Sequence, residues 1–157
     1  MRSRTIRLMI VALTGATLLT TAMLAEGSPA ATQAGQPAVR LARLTGEVEV
    51  PIGDLDGSGL ATVIVHPARG QLCFAIVVDD IVLPATAAHV HVGRAGVAGP
   101  IVVPVTAPGA TGTSAGCVSG VDQGLLTAIK RHPRQYYMNV HTTDFPGGAV
   151  RGQLHRP

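Results

Sequence analysis

Two distant segments of this chain alternate apolar and polar residues with the same parity, and that pattern constrains the fold more than any other feature. In AAHVHV over 87–92, an extended backbone puts Val90 and Val92 on one face and His89 and His91 on the other. In RQYYMNVHT over 134–142, Tyr136, Met138 and Val140 share one face, and Tyr137, Asn139 and His141 share the opposite one. A period of two argues against a helix through either segment. Both read as strands with the apolar residues packed on a core and the imidazoles on the outer surface.

The rest of the chain continues in short extended runs broken by turn chemistry. Glu47 to Val50 alternates like a half-buried strand, and Gly53 to Gly59 is turn-forming throughout. Asp54 and Asp56 look like the start of a calcium loop, but the third acidic ligand and the distal Glu are missing, so this reads as a solvated turn. Leu60 to His66 and Gln71 to Val78 are rich in β-branched residues, and Pro67 to Gly70 between them signals a hairpin. Pro104 confines the run 101–105 to a sheet edge or a bulge. Residues 106–116, rich in Gly, Thr and Ala, read as a loop. One short helix is expected, capped by Asp122 or Ser119, with Val121, Leu125 and Ile129 on one face and Pro133 ending it. Ala149 to Leu154 follows as a last strand, Val150 and Leu154 inward and Arg151 and Gln153 outward. The expected fold is all-β, an antiparallel Greek-key-like sandwich or barrel with one short helix.

Three arginines followed by an uncharged run from Leu8 to Ala25 read as a secretory signal peptide over 1–25. Its cleavage point is open between 22 and 34, since Ser28 with Ala30 or Thr32 with Ala34 would serve. A retained membrane anchor is the second reading, and only then would the chain touch a membrane. Residues 26–40 read as a flexible leader, and 41–157 as a single domain. Three of the twelve Lys and Arg residues lie in the signal, so the remainder balances nine basic against nine acidic side chains. A neutral domain offers no electrostatic footprint for a polyanion, which removes the main support for nucleic-acid binding. Cys73 and Cys117 are the only cysteines, and in an exported chain they are expected to pair; two buried free thiols are the alternative.

Two histidines at i and i+2 on one strand face form half of a metal site, and His141, on a strand of matching parity, is the candidate third ligand. Asn139 and Arg151 stand close enough in the pattern to support such a site. Three imidazoles with an open position suit copper or zinc, and the lack of clustered carboxylates argues against calcium or magnesium. The plain alternative is solvated histidines on an open face. His66, His132 and His155 read as surface residues, with His155 a candidate fourth ligand.

AHVHVGRAGVAGP at 88–100, GQLCFAIVV at 70–78 and YYMNVHTTDFPGGAVRGQL at 136–154 together resemble the chordin-type CHRD domain of secreted proteins. The resemblance covers about 41–154 and implies an extracytoplasmic all-β domain; in animal chordin such domains belong to a protein that sequesters growth factors. Met138 departs from it, standing where the family more often has a β-branched residue. A separate likeness is to the copper-zinc superoxide dismutase sandwich, which carries copper on an H-x-H strand. It implies His89, His91 and His141 as copper ligands and Arg151 as an anion-steering residue. The bridging histidine, the zinc-site aspartate and the long electrostatic loop have no counterpart here.

The expected function is therefore an exported domain holding one copper or zinc ion on His89, His91 and His141. The alternative is a metal-independent module that binds an envelope protein through its glycine-rich turn and strand edges. Dismutase-like redox activity is a more distant expectation. No serine or cysteine stands beside a histidine and a carboxylate as a hydrolase would need.

Overall fold

A computed structural model of the chain describes residues 35–157. The expected signal peptide and most of the expected leader lie outside the described residues.

Eight strands make one antiparallel sheet: β1 (Ala38–Thr45), β2 (Ser58–His66), β3 (Gln71–Asp79), β4 (Ala87–Val92), β5 (Ile101–Val105), β6 (Thr113–Ser119), β7 (Tyr136–His141) and β8 (Val150–Gln153). Their order is β5-β4-β7-β8-β1-β2-β3-β6, and the two edges β5 and β6 approach each other, so the sheet is a nearly closed barrel. Closure hides strand edges and lets alternate residues of every strand fill one interior. That interior holds Val63, Val65, Leu72, Ile76, Val90, Met138, Val140, Val150 and Leu154, each 0–1% exposed. Val90, Met138 and Val140 face inward as their parity predicts, with Val92 packed at the margin.

The expected hairpin forms. A 3-10 turn at Pro67–Arg69 and Gly70 in the left-handed region (φ 57°) join β2 to β3. Pro104 stands on edge strand β5, the kind of position to which prolines in sheets are confined. The helix α1 (Gln123–Arg131) starts at Asp122, whose carboxylate accepts a 2.7 Å bond from Leu125 N, and it buries Leu126 and Ile129 against the barrel.

Four local expectations are corrected. Glu47 to Val50 is a tight turn: Gly46 O accepts from both Glu49 N and Gly53 N, so the backbone satisfies itself locally and no ladder forms. Its alternation is also inverted, with Val48 49% exposed and Glu49 5% exposed. The first strand starts at Ala38, inside the expected leader, and Arg40 is buried there with its guanidinium donating to Lys130 O at the end of α1. The end of 106–116, from Thr113 on, belongs to β6, a mostly exposed strand that burial patterning could not mark. It is tied down by its ladder to β3 and by the Cys73–Cys117 disulfide, which joins two residues in direct register. Closing that 44-residue separation is worth about 4 kcal/mol in the chain-entropy model. Finally, Arg151 points away from the core as predicted but is only 1% exposed, because the β4–β5 connection lies over it and accepts its Nη2 at Arg94 O (2.9 Å).

Candidate metal centre

The site stands on the outer face of three neighbouring strands, and register assembles it. His89 pairs with Asn139 and Asn139 with Arg151; one step along, His91 pairs with Tyr137 and Tyr137 with Gln153. His141 pairs with Ala87, which makes it the diagonal neighbour of His89. The three imidazoles that sequence parity singled out therefore converge, each offering one nitrogen, with these atoms all within 4.8 Å of one another.

Hydrogen bonds decide which nitrogen is available. A carbonyl oxygen only accepts, so His91 Nδ1 carries its proton toward Gly99 O (2.8 Å) and His141 Nδ1 carries its own toward Pro146 O (2.9 Å). Both rings then present a bare Nε2. That of His141 lies 3.2 Å from His89 Nδ1, which donates to it. That of His91 is buried and has no partner. Backbone carbonyls behind two of three imidazoles are the arrangement that fixes metal-binding histidines.

Burial lowers the pKa of His89, and the neighbouring His141 and His91 lower it further, against a smaller opposing pull from Asn139. Burial is also the main cause that lowers His91; His141 adds to it, while the Gly99 carbonyl, Asn139 and Glu49 pull the other way. Both rings are thus biased to the neutral form that can donate a lone pair.

Around the imidazoles lies a second layer as dry as the barrel core. The Tyr137 ring stacks on His91 at 4.7 Å and 10°, and the Arg151 guanidinium lies 3.4 Å above the Tyr137 centroid. Gly99 N donates to the Tyr137 hydroxyl at 3.2 Å, so the same tyrosine holds both the His91 ring and the strand of backbone that orients it. Gly99 has to be glycine, because a Cβ there would lie 1.7 Å from Val92 O. Gly148, at φ 135°, leaves the space taken by the buried Glu49 carboxylate. Burial lowers the pKa of Arg151, while Tyr137 and Glu49 favour its charge.

A family model for the CHRD domain matches residues 40–154. The chain belongs to the CHRD-domain family. No curated protein and no solved structure matches it.

In this CHRD domain Asn139 is buried between His89 and Arg151, with its amide oxygen unpartnered, and Arg151 reaches the imidazoles only through Tyr137. His155 is not part of the cluster: it is exposed, bridges Leu41, and turns Nδ1 to Arg156 O. The open outer surface expected for the imidazoles is also corrected, since His91 is 7% exposed beneath the glycine-rich turn. Tyr137, Glu49 and the carbonyls of Gly99 and Pro146 carried no sequence signal as site residues. Parity did put Tyr137 on the imidazole face.

Proposed function

We propose that this CHRD domain is an exported module that holds one copper or zinc ion on His89, His91 and His141. The observation that carries the reading is the buried, unpartnered Nε2 of His91, whose Nδ1 is already committed to Gly99. Leaving such an atom bare costs about 1–3 kcal/mol, and a cation shared with two further imidazoles would offset that cost. Two nitrogens each about 2.0–2.1 Å from one ion are at most about 4.2 Å apart, so the cluster needs only a small side-chain contraction. An all-nitrogen donor set without carboxylate or thiolate favours copper or zinc.

For binding, the single proton of neutral His89 would move from Nδ1 to Nε2, which leaves Nδ1 bare as the ligand atom. Gly99 and Pro146 hold the tautomers of the other two rings, and Tyr137 prevents His91 from swinging out of place. When bound, the ion supplies Lewis acidity, or one-electron chemistry in the case of copper. Export is supported by the disulfide together with the basic and then apolar N-terminal sequence.

Calorimetric titration of the refolded protein with Cu(II) and with Zn(II) tests the reading. One ion per chain is expected, with affinity reduced about a hundredfold or more in His141→Ala. Equal, weak uptake by both proteins would end the proposal.

A further inference from the structure

Net neutrality conceals a separation of charge that the topology imposes. The connections β1–β2, β3–β4 and β7–β8 leave the same end of the barrel, and they or the adjoining strand ends carry Glu47, Asp54, Asp56, Asp79, Asp80 and Asp144. Toward the other end, exposed, stand Arg94, Arg131, Arg134 and Arg156 with His132 and His155, and the carboxylate at that end, Asp122, is engaged in capping α1. These six residues line two adjoining clefts of about 480 and 630 Å³, which share Arg134, Gln135 and His155. A third cleft of about 490 Å³ continues along β8 through Ala95, Gln153 and His155 as far as Arg43. No carboxylate lines the first two clefts, and Glu47 enters only in the third.

Part of this charge has local work. Lys130 and Arg131 complement the dipole at the C-terminus of α1, and Arg156 Nη2 reaches Arg131 O at 3.4 Å. The guanidinium groups of Arg94, Arg131 and Arg134, however, make no hydrogen bond or ion pair with any described residue. Like charges along one groove repel each other, and bound anions would relieve that repulsion.

We propose that this groove binds a linear acidic polysaccharide carrying sulfate, phosphate or carboxylate groups along its length. Guanidinium forks match such oxyanions in geometry as well as charge, and a succession of clefts suits a chain better than a single ion. Single-stranded nucleic acid would require large aromatic platforms, but the clefts offer only the imidazoles of His132 and His155, and Phe74, Tyr136 and Tyr137 are buried. A lipid surface would require exposed large apolar side chains, and the first two clefts present none.

The test titrates the full chain with a size-defined heparin oligosaccharide, a single-stranded oligonucleotide of equal charge, and phosphatidylglycerol vesicles, each at two salt concentrations. The oligosaccharide is expected to bind most tightly and to weaken with salt. Arg131→Gln/Arg134→Gln should reduce its affinity about tenfold, while Arg69→Gln, on an exposed turn outside the groove, leaves it unchanged. If the double variant melts early, Arg94→Gln carries the same comparison, with about a threefold loss expected. Absence of oligosaccharide binding overturns the proposal, as does an equal effect of Arg69→Gln. Equal or tighter binding of the oligonucleotide or of the vesicles overturns it as well.

Discussion

The two faces of β4, β7 and β8 both hold deeply buried side chains yet are stabilised differently. On the inner face Val90, Met138, Val140 and Val150 are fully enclosed and contribute by apolar burial alone. On the outer face His91, Asn139 and Arg151 are almost as enclosed, at 7%, 2% and 1% exposed, but each keeps a polar atom without a partner. Glu49 adds a fourth. A face that exists only for stability satisfies its buried polar atoms or omits them. The outer face does neither: four of the six buried side-chain polar atoms left without a partner among the described residues stand around the imidazole cluster, the other two being Arg40 Nε and Ser114 Oγ.

The sharpest separation of the two faces comes from a core truncation. Met138→Ala should cost about 2–5 kcal/mol in urea unfolding while changing metal affinity little, because its side chain points away from the imidazoles. A parallel collapse of metal binding in protein that is still folded would show that the faces are not independent.

Tyr137→Phe probes the outer face from the opposite direction. Stacking on His91 survives, but Gly99 N loses its acceptor, so stability should fall by only about 1 kcal/mol. Affinity for Cu(II) or Zn(II) should fall about tenfold, since the carbonyl that orients His91 is loosened. Unchanged affinity would reduce Tyr137 to packing.

The smallest effect is expected from pH. His89 and His91 have pKa values below the ordinary 6.5, so the unfolded chain takes up protons that the folded one resists. Stability of the metal-free protein is therefore retained above about pH 6.5 and declines as pH falls from there toward the lowered folded values. The same lowering should let the proposed metal binding persist to more acidic pH than for an ordinary histidine cluster. Urea midpoints measured between pH 7.5 and 5 check the slope, and a flat profile would contradict neutral burial of these rings.

Much of this was legible in the primary structure. Parity along AAHVHV and YYMNVH defined which side chains share a face, and a strand has only two faces to choose between. The β2–β3 hairpin, edge strand β5 and the cap at Asp122 follow from residue types whose backbone preferences act locally. Where non-local pairing decided, as in β1 and the weakly patterned β6, local signals misled or were silent. Glu49 shows the same limit, since a favourable alternation lost to two hydrogen bonds closing on Gly46 O.

The sequence by itself determined that three histidines, an asparagine and an arginine would stand on the side of the sheet opposite the valines. Only the tertiary structure decided that β7 lies between β4 and β8, in the register that brings His141 beside His89 and stacks Arg151 on Tyr137 on His91. Faces are set by a period of two within one strand. Neighbours are set by which strands pair and in what register, and that choice depends on closing the whole barrel around its core.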